Sequence, residues 1–402
     1  MPKILWMSPY SLHDTSSGAS VHAKDMFECL AKNGWEVWSC ASFVFDNVSG
    51  TLIFGDLEKT LREDKHQTFI IDDNGVHYIY TRCHSRSEME FTLAEGQLFY
   101  ETYLDVLDEF KPDIVFGYCP GMTSLTCFAE AQRRGIKTVY LLLNGNHRQF
   151  AFRQFDLVVT DSLATSNYYA ERDHINVVAT GAFLTNTARF ISPEREPQFV
   201  TFINPVGAKG LPIFAKLAKV CQQELPDVKF LVVNSRGEFA QTVTYLHEKD
   251  KPNEHPFKAS DFPNVSTTGN QKDMRPVFRI TKALIAPSLW YESWGRVTSE
   301  AVLNGIPVLA STSGGISEAM AGCGINIEAP QHCKDDHMSI PTDEEIRPWV
   351  EALKEILNSD YSDKIANARK QLSPESALKK TLDAFLPLCQ PSASNDPLYY
   401  YK

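Results

Sequence analysis

The sequence contains no Cys-x-x-Cys pair, and its nine cysteines are scattered and odd in number. That excludes a fully paired disulfide framework and reads as reduced thiols in the cytosol. No apolar run approaches the roughly 20 residues that a spanning helix needs. The opening MPKILWMSPY has a short apolar part and no small-residue cleavage site, so it reads as a first strand rather than a signal peptide. Positive charge is scarce as well: 39 Lys and Arg face 50 Asp and Glu, a formal −11. Residues 1–185 carry −9 of it and the remainder −2. An acidic first half argues against nucleic acid as a partner and against strong docking on anionic lipid. There is no internal repeat and no low-complexity tract. GAKG (Gly207 to Gly210) lacks the Lys-Ser/Thr ending of a phosphate loop. QHCKDDH (Gln331 to His337) offers ligand-type side chains, but it reads as a polar loop whose spacing fits no common metal site.

What is present is a succession of strand and helix patterns. At 402 residues the chain is long enough for two domains with a core each. KILWMSP, WEVWSCASF, DIVFGYC, TVYLLLNG, DLVVTDS and NVVATG read as strands. Helices are expected from Val21 to Asn33, from about Leu93 to Phe110, and before Gly135. This is a doubly wound α/β domain over residues 1–186. TNTARFISPEREPQ, polar and without a period, reads as a linker. A second α/β domain, 187–372, follows with strands FVTFINP, VKFLVVNS and NVSTTG and a helix from Leu211 to Glu224. Two helices are expected to close the chain. One runs from about Asp343 to Leu357; the other opens at Ser373, with Pro374 in its first turn and Pro387 as a stop. Residues 391–402 read as a loose tail.

The most informative run is APSLWYESWGRVTSEAVLNGIPVLAS, Ala286 to Ser311. Two carboxylates, Glu292 and Glu300, stand eight positions apart, with Gly295 and Arg296 between them. The order strand, loop, helix, strand puts the loop at the carboxyl end of a parallel strand, where open α/β sheets bind ligands. Glycine at a helix start lets backbone N–H groups approach an anion, and the helix dipole favours one there. Arg296 adds a charge that can grip phosphate through two nitrogens. Carboxylates on either side of that anion can hold hydroxyl groups. Two polyols joined by a diphosphate describe a nucleotide sugar.

The E-x7-E spacing, PSLWYESWGR and the following NGIPVLASTSGG together resemble the signature of retaining glycosyltransferases of family 4. The resemblance implies the GT-B fold: two Rossmann-like domains facing a cleft, with the helix at 373–390 returning to the first. It implies that domain two binds the nucleotide sugar and domain one the acceptor. Glu292 then contacts the donor sugar and Glu300 the ribose. Lys209 in INPVGAKG matches the family lysine on the diphosphate, whereas Asn204 stands where the family has arginine, and Arg296 is expected to compensate. Gly18 in HDTSSGAS matches the glycine-rich loop that approaches the donor phosphate. Asn144 occupies a position where family members often carry a histidine near the reacting sugar. Trp294 and Val297 are expected beside the donor, and Gly269 and Asn270 at its base. His13, His22 and His147 are acceptor-side candidates.

Glycosyl transfer builds negative charge on the leaving diphosphate, so fixed cations must oppose it. No Asp has another Asp two positions away, so the Asp-x-Asp metal seat of the other major transferase fold is absent and no metal or other cofactor is expected. The resemblance favours a UDP-sugar donor bearing glucose, with GDP-mannose second, and a glycan or lipid-linked saccharide acceptor. It places the protein in the cytoplasm and leaves open weak peripheral contact at the inner membrane face. Two other readings share this architecture: a nucleotide-sugar 2-epimerase and a non-catalytic nucleotide-sugar-binding protein.

Overall fold

Strands rich in β-branched and aromatic residues alternate with amphipathic helices, and that succession winds into two separate parallel sheets. The computed structural model describes residues 1–46, 50–51, 54–55, 57–63, 66–118, 121–147, 151–185 and 187–389. The first eight strands are β1 (Lys3–Met7), β2 (Glu36–Ser42), β3 (Thr68–Asp73), β4 (Val76–Thr81), β5 (Ile114–Gly117), β6 (Lys137–Leu141), β7 (Leu157–Thr160) and β8 (Val178–Ala179). They pair in the order β3-β4-β2-β1-β5-β6-β7-β8. All neighbours are parallel except β3 and β4, an antiparallel hairpin. Its turn holds Asn74 and Gly75 at φ 51° and 83°, the left-handed pair that a two-residue hairpin requires. The sequence reading did not mark this hairpin, although Asn-Gly is its usual signal.

The remaining strands are β9 (Phe199–Ile203), β10 (Lys229–Val233), β11 (His247–Glu248), β12 (Val265–Thr268), β13 (Thr281–Ala286), β14 (Val308–Ser311), β15 (Gly324–Ile327) and β16 (Ser339–Ile340). Six form a second sheet in the order β12-β10-β9-β13-β14-β15, while β11 pairs with β16 alone. Chain order reverses beside β1 in the first sheet and beside β9 in the second. Crevices open at the carboxyl ends of such strands, so the loops after β1, β9 and β13 converge on one cleft.

Alternation along β1 places Ile4 and Trp6 in one core cluster and Leu5 and Met7 in another, as a strand covered on both faces requires. The second sheet has its own core, built around Phe202, Phe214, Phe230 and Trp349. The terminal helix Pro374–Phe385 packs on the first sheet, where the Phe385 ring lies 5.5 Å from Phe116 and 6.3 Å from Trp35.

Two sequence expectations need correction. QHCKDDH is not a loop throughout: Gln331–Asp335 is a short helix with Cys333 buried beneath it. Three helices close the chain, not two. The extra one, Ser362–Gln371, is polar and buries little beyond Ile365 and Ala368, so its apolar period is weak. The expected tail lies outside the described residues. No helix among the described residues is long and apolar enough to cross a membrane.

Candidate functional site

After β9 the chain turns through Asn204, left-handed at φ 65°, into a single helical turn, Gly207–Lys209. Gly210 follows at φ 88°, and a Cβ there would lie 1.9 Å from the Pro287 carbonyl oxygen. Only glycine permits that approach. It joins the Lys209 turn to the loop after β13. There the Leu289 and Trp290 amides each donate to the Ala208 carbonyl at 2.9 Å. The consequence is a Lys209–Glu292 ion pair between side chains 83 residues apart. Ser288 Oγ donates to the same carboxylate oxygen, Oε1, at 2.8 Å. Among the described residues both bonds use Oε1, which leaves Oε2 open to a ligand.

The glycines of STSGG have a related task. A Cβ at Gly314 would fall 2.0 Å from the Glu292 carbonyl oxygen, and one at Gly315 would fall 2.0 Å from that of Ser293. Gly315 also donates its amide to the Glu292 carbonyl at 2.8 Å. The Glu292 backbone is therefore held by the loop after β14, and its side chain by the turn after β9.

Gly295, at φ 93°, opens the helix Arg296–Leu303. Arg296 reaches out of the second lobe: its Nη2 donates to Asp25 Oδ2 and its Nη1 to the Phe183 carbonyl, both at 2.7 Å. Glu300 lies one turn on, 3.9 Å from Arg296 Nε. Burial pushes the Glu300 carboxyl up to about 7; Arg296 pulls it down and Asp25 pushes it further up. Trp294 is buried, donates from Nε1 to Ser299 Oγ at 2.9 Å and still forms part of the wall.

The resulting cleft has two chambers. One, of about 360 Å³, is lined by Gly18, His22, Asn204, Lys209, Glu292, Trp294 and Gly295 among others. The second, of about 350 Å³, is lined by Arg189, Ser235, Asn270 and Glu300 among others. Ser16, Gly18, Arg296 and Val297 border both. Gly18 begins the first-lobe helix Gly18–Lys32, with Ser17 as its N-cap, and no atom occupies the space its Cβ would take. Ser17 Oγ accepts from the Ser20 amide at 3.5 Å, so the helix start that faces the junction offers the amides of Gly18 and Ala19.

The other sequence candidates fall in different places. Gly269 and Asn270 are exposed just after β12, with Asn270 on the second chamber. His22 is buried in the first chamber's wall, and neither ring nitrogen has a hydrogen-bond partner among the described residues. Burial and the nearby Arg296 push it down to about 3, so its imidazole is neutral. His13, an acceptor-side candidate, lines neither chamber. It is buried, bonded to Tyr80 Oη at 2.6 Å and 3.4 Å from Asp73, and belongs to the packing of the first lobe. Asn144 donates toward His147 at 3.2 Å, and its carbonyl accepts from Tyr169 Oη at 2.7 Å. Leu143 provides the cleft wall at that point.

Three residues that line or brace the cleft were absent from the sequence reading. Arg236 lies in the loop after β10 and lines the first chamber. Asp161 directly follows β7, is buried, and accepts from Ser293 Oγ across the lobes at 3.0 Å; burial pushes it up to about 7. Asp25 holds Arg296. The rule that singled out Lys209, a polar residue at the carboxyl end of a strand, would have marked Arg236 and Asp161. Asp25 sits mid-helix and carries no such signal. Among the described residues no three His, Cys, Asp or Glu side chains gather as a metal seat.

Chemically, the cleft offers one anion seat of helix amides and cations, with a carboxylate on each side of it. Residues 198–358 match the family described as Glycosyl transferases group 1. Over nearly its whole length the chain is similar in fold to sucrose-phosphate synthase from Thermosynechococcus elongatus, at 13% identity and a TM-score of 0.65, covering 96% of this chain and 99% of that one. A glycosyltransferase from Rickettsia africae is similar at 13% identity and a TM-score of 0.63, covering 97% and 99%. HepE of Anabaena, solved with UDP-glucose, is similar at 15% identity and a TM-score of 0.61, covering 96% and 99%. At these identities the likeness is one of fold, and the fold is GT-B. No curated protein matches the sequence.

Proposed function

Since residues 198–358 form a glycosyl transferases group 1 domain and the protein is a glycosyltransferase, we propose that it transfers a hexose from a UDP-sugar to a glycan or lipid-linked saccharide, with retention of anomeric configuration. The observation that carries this reading is the Lys209–Glu292 pair at the cleft wall, with one carboxylate oxygen left for a ligand. Glu292 Oε2 accepts from hydroxyls of the donor sugar. Glu300, in the other chamber, does the same for the ribose, and Asn270 lies toward the base. The diphosphate lies at the junction, before the amides of Gly18 and Ala19, and Lys209 opposes from the first chamber the charge that grows on it. The glycosyl C1–oxygen bond to phosphate breaks and a C1–oxygen bond to the acceptor forms on the same face. The acceptor's proton passes to the departing phosphate oxygen, so no protein base is needed.

Glucose as the sugar is supported by the UDP-glucose complex of Anabaena HepE, and UDP also by its complex with UDP alone. The cations Lys209, Arg236 and Arg296, together with the lack of an Asp-x-Asp pair, support transfer without a metal. In this reading residues 1–186 bind the acceptor and 187–372 the donor, in the cytoplasm, with at most weak peripheral contact to a membrane.

The test is donor hydrolysis by purified protein without added metal, over a panel of nucleotide sugars, reading released nucleotide and the anomer of the freed sugar. The expected result is release from one UDP-sugar with its anomer retained, lost in Glu292→Ala. A changed sugar still joined to its nucleotide would show an epimerase instead. Nucleotide binding without turnover, even with saccharide acceptors supplied, would show a binding protein.

A further inference from the structure

The three cations lining the first chamber are not equally available to a ligand. Lys209 is paired with Glu292, and Arg296 with the buried Asp25. Among the described residues Arg236 pairs only with Asp46, at 3.6 Å, through side chains that are 48% and 39% exposed. Its other bond, Nη2 to the Ser16 carbonyl at 3.0 Å, goes to a neutral group. An exposed pair of this length is worth little, and a neutral carbonyl is a weaker acceptor than a phosphate. A nucleoside diphosphate brings about two negative charges, and the charge of Lys209 is already opposed by a carboxylate.

The loop that carries Arg236 is held in a fixed geometry. The Arg236 amide donates to Asn204 Oδ1 at 3.2 Å, and the Ser235 amide donates to the Gly237 carbonyl at 3.2 Å. A Cβ on Gly237 would lie 2.6 Å from the Pro205 carbonyl oxygen, so the loop sits directly on the turn after β9. Asn204 therefore presents Arg236 to the cleft. Ser235, the preceding residue, lines the second chamber while Arg236 lines the first, and the Arg236 guanidinium rests on Ser16, which borders both. Ser16 and Gly18 border both chambers on the opposite lobe.

Resting on the donor reading above, we infer that Arg236 is a diphosphate-binding residue of this cleft, with Asn204 as its positioning residue. On donor binding its guanidinium leaves Ser16 and Asp46 for the phosphate oxygens. The bond to Ser16 runs between the two lobes, so the exchange replaces a lobe-to-lobe contact with one through the ligand.

Calorimetry of UDP and of uridine with the full chain tests this. Uridine carries the base and ribose but no phosphate, so it reports whether the variant is folded and the nucleoside chamber intact. Arg236→Ala is expected to weaken UDP by about tenfold or more, the worth of a charge-assisted contact, and to leave uridine within about twofold of wild type. Arg236→Lys should recover part of the loss. UDP bound equally well by wild type and Arg236→Ala, in the presence of normal uridine binding, would overturn the inference and leave the donor reading standing. Failure of the wild type to bind either ligand would overturn both.

Discussion

The Glu292 carboxylate accepts from Lys209 and Ser288 through one oxygen, and this fixes its orientation before any ligand arrives. A pre-oriented acceptor loses little freedom on binding. Glu292→Gln keeps the shape and removes the charge, and it also leaves Lys209 without its partner. Loss of one charge-assisted contact to sugar predicts a fall in kcat/KM of about 10- to 100-fold, measured with the donor identified by hydrolysis. Glu300 is a different case. Burial raises its carboxyl to about 7, so the folded protein favours the protonated form. That contribution to stability is complete below the ordinary carboxylate range and is lost as pH rises through about 7. Binding runs the other way, because the ionised carboxylate accepts both ribose hydroxyls. Uridine affinity should therefore rise from about pH 6 to about pH 8. Glu300→Gln should flatten that profile. Asp161→Asn, which removes the other buried carboxyl raised to about 7, should leave it in place.

At the scale of elements, the glycines around Glu292 matter more than the helices they join. Gly210 combines φ 88° with a Cβ position 1.9 Å from the Pro287 carbonyl oxygen. Gly210→Ala thus meets both a left-handed penalty of about 1–2 kcal/mol and a backbone clash, and the loops after β9 and β13 must part. Thermal melting should drop by several degrees, and nucleotide binding should fall with it. Gly18→Ala, with open space around its Cβ, should melt like wild type. The same elements show what was legible in the chain. Most helix and strand patterns were readable because a buried strand or an amphipathic helix is a local property. The hairpin at Asn74-Gly75 was readable too, and was passed over. Ser362–Gln371 was not, since a helix that buries so few apolar side chains leaves almost no period. Glu292, Glu300 and Lys209 stood out as a spaced pattern beside strand ends. The pairing of Arg236 with Asn204, and of Arg296 with Asp25, depends on loops and lobes that meet only in the fold.

At the scale of the molecule, the lobes are joined by a small set of polar contacts around the cleft. Glu318 of the second lobe accepts from the Leu163 and Ala164 amides at 3.0 and 2.8 Å, capping a first-lobe helix, Leu163–Asp173. Ser293 bonds Asp161, Arg236 bonds Ser16, and Arg296 bonds Asp25. The last is a largely buried ion pair, with side chains 13% and 5% exposed. Breaking one side of a buried pair costs about 3–5 kcal/mol, whereas replacing both sides with apolar groups is often neutral; without Asp25, Arg296 keeps the Phe183 carbonyl and Glu300 at 3.9 Å. Asp25→Ala alone should then either lower the melting temperature or separate the lobes so that water reaches Arg296. Small-angle scattering tells these apart, because separated lobes enlarge the radius of gyration without loss of helical circular dichroism. Asp25→Leu combined with Arg296→Met should restore the melting temperature toward wild type in either case. If the double replacement melts as low as Asp25→Ala, the pair is not what joins the lobes, and the remaining cross-lobe contacts of Glu318, Ser293 and Arg236 carry that role.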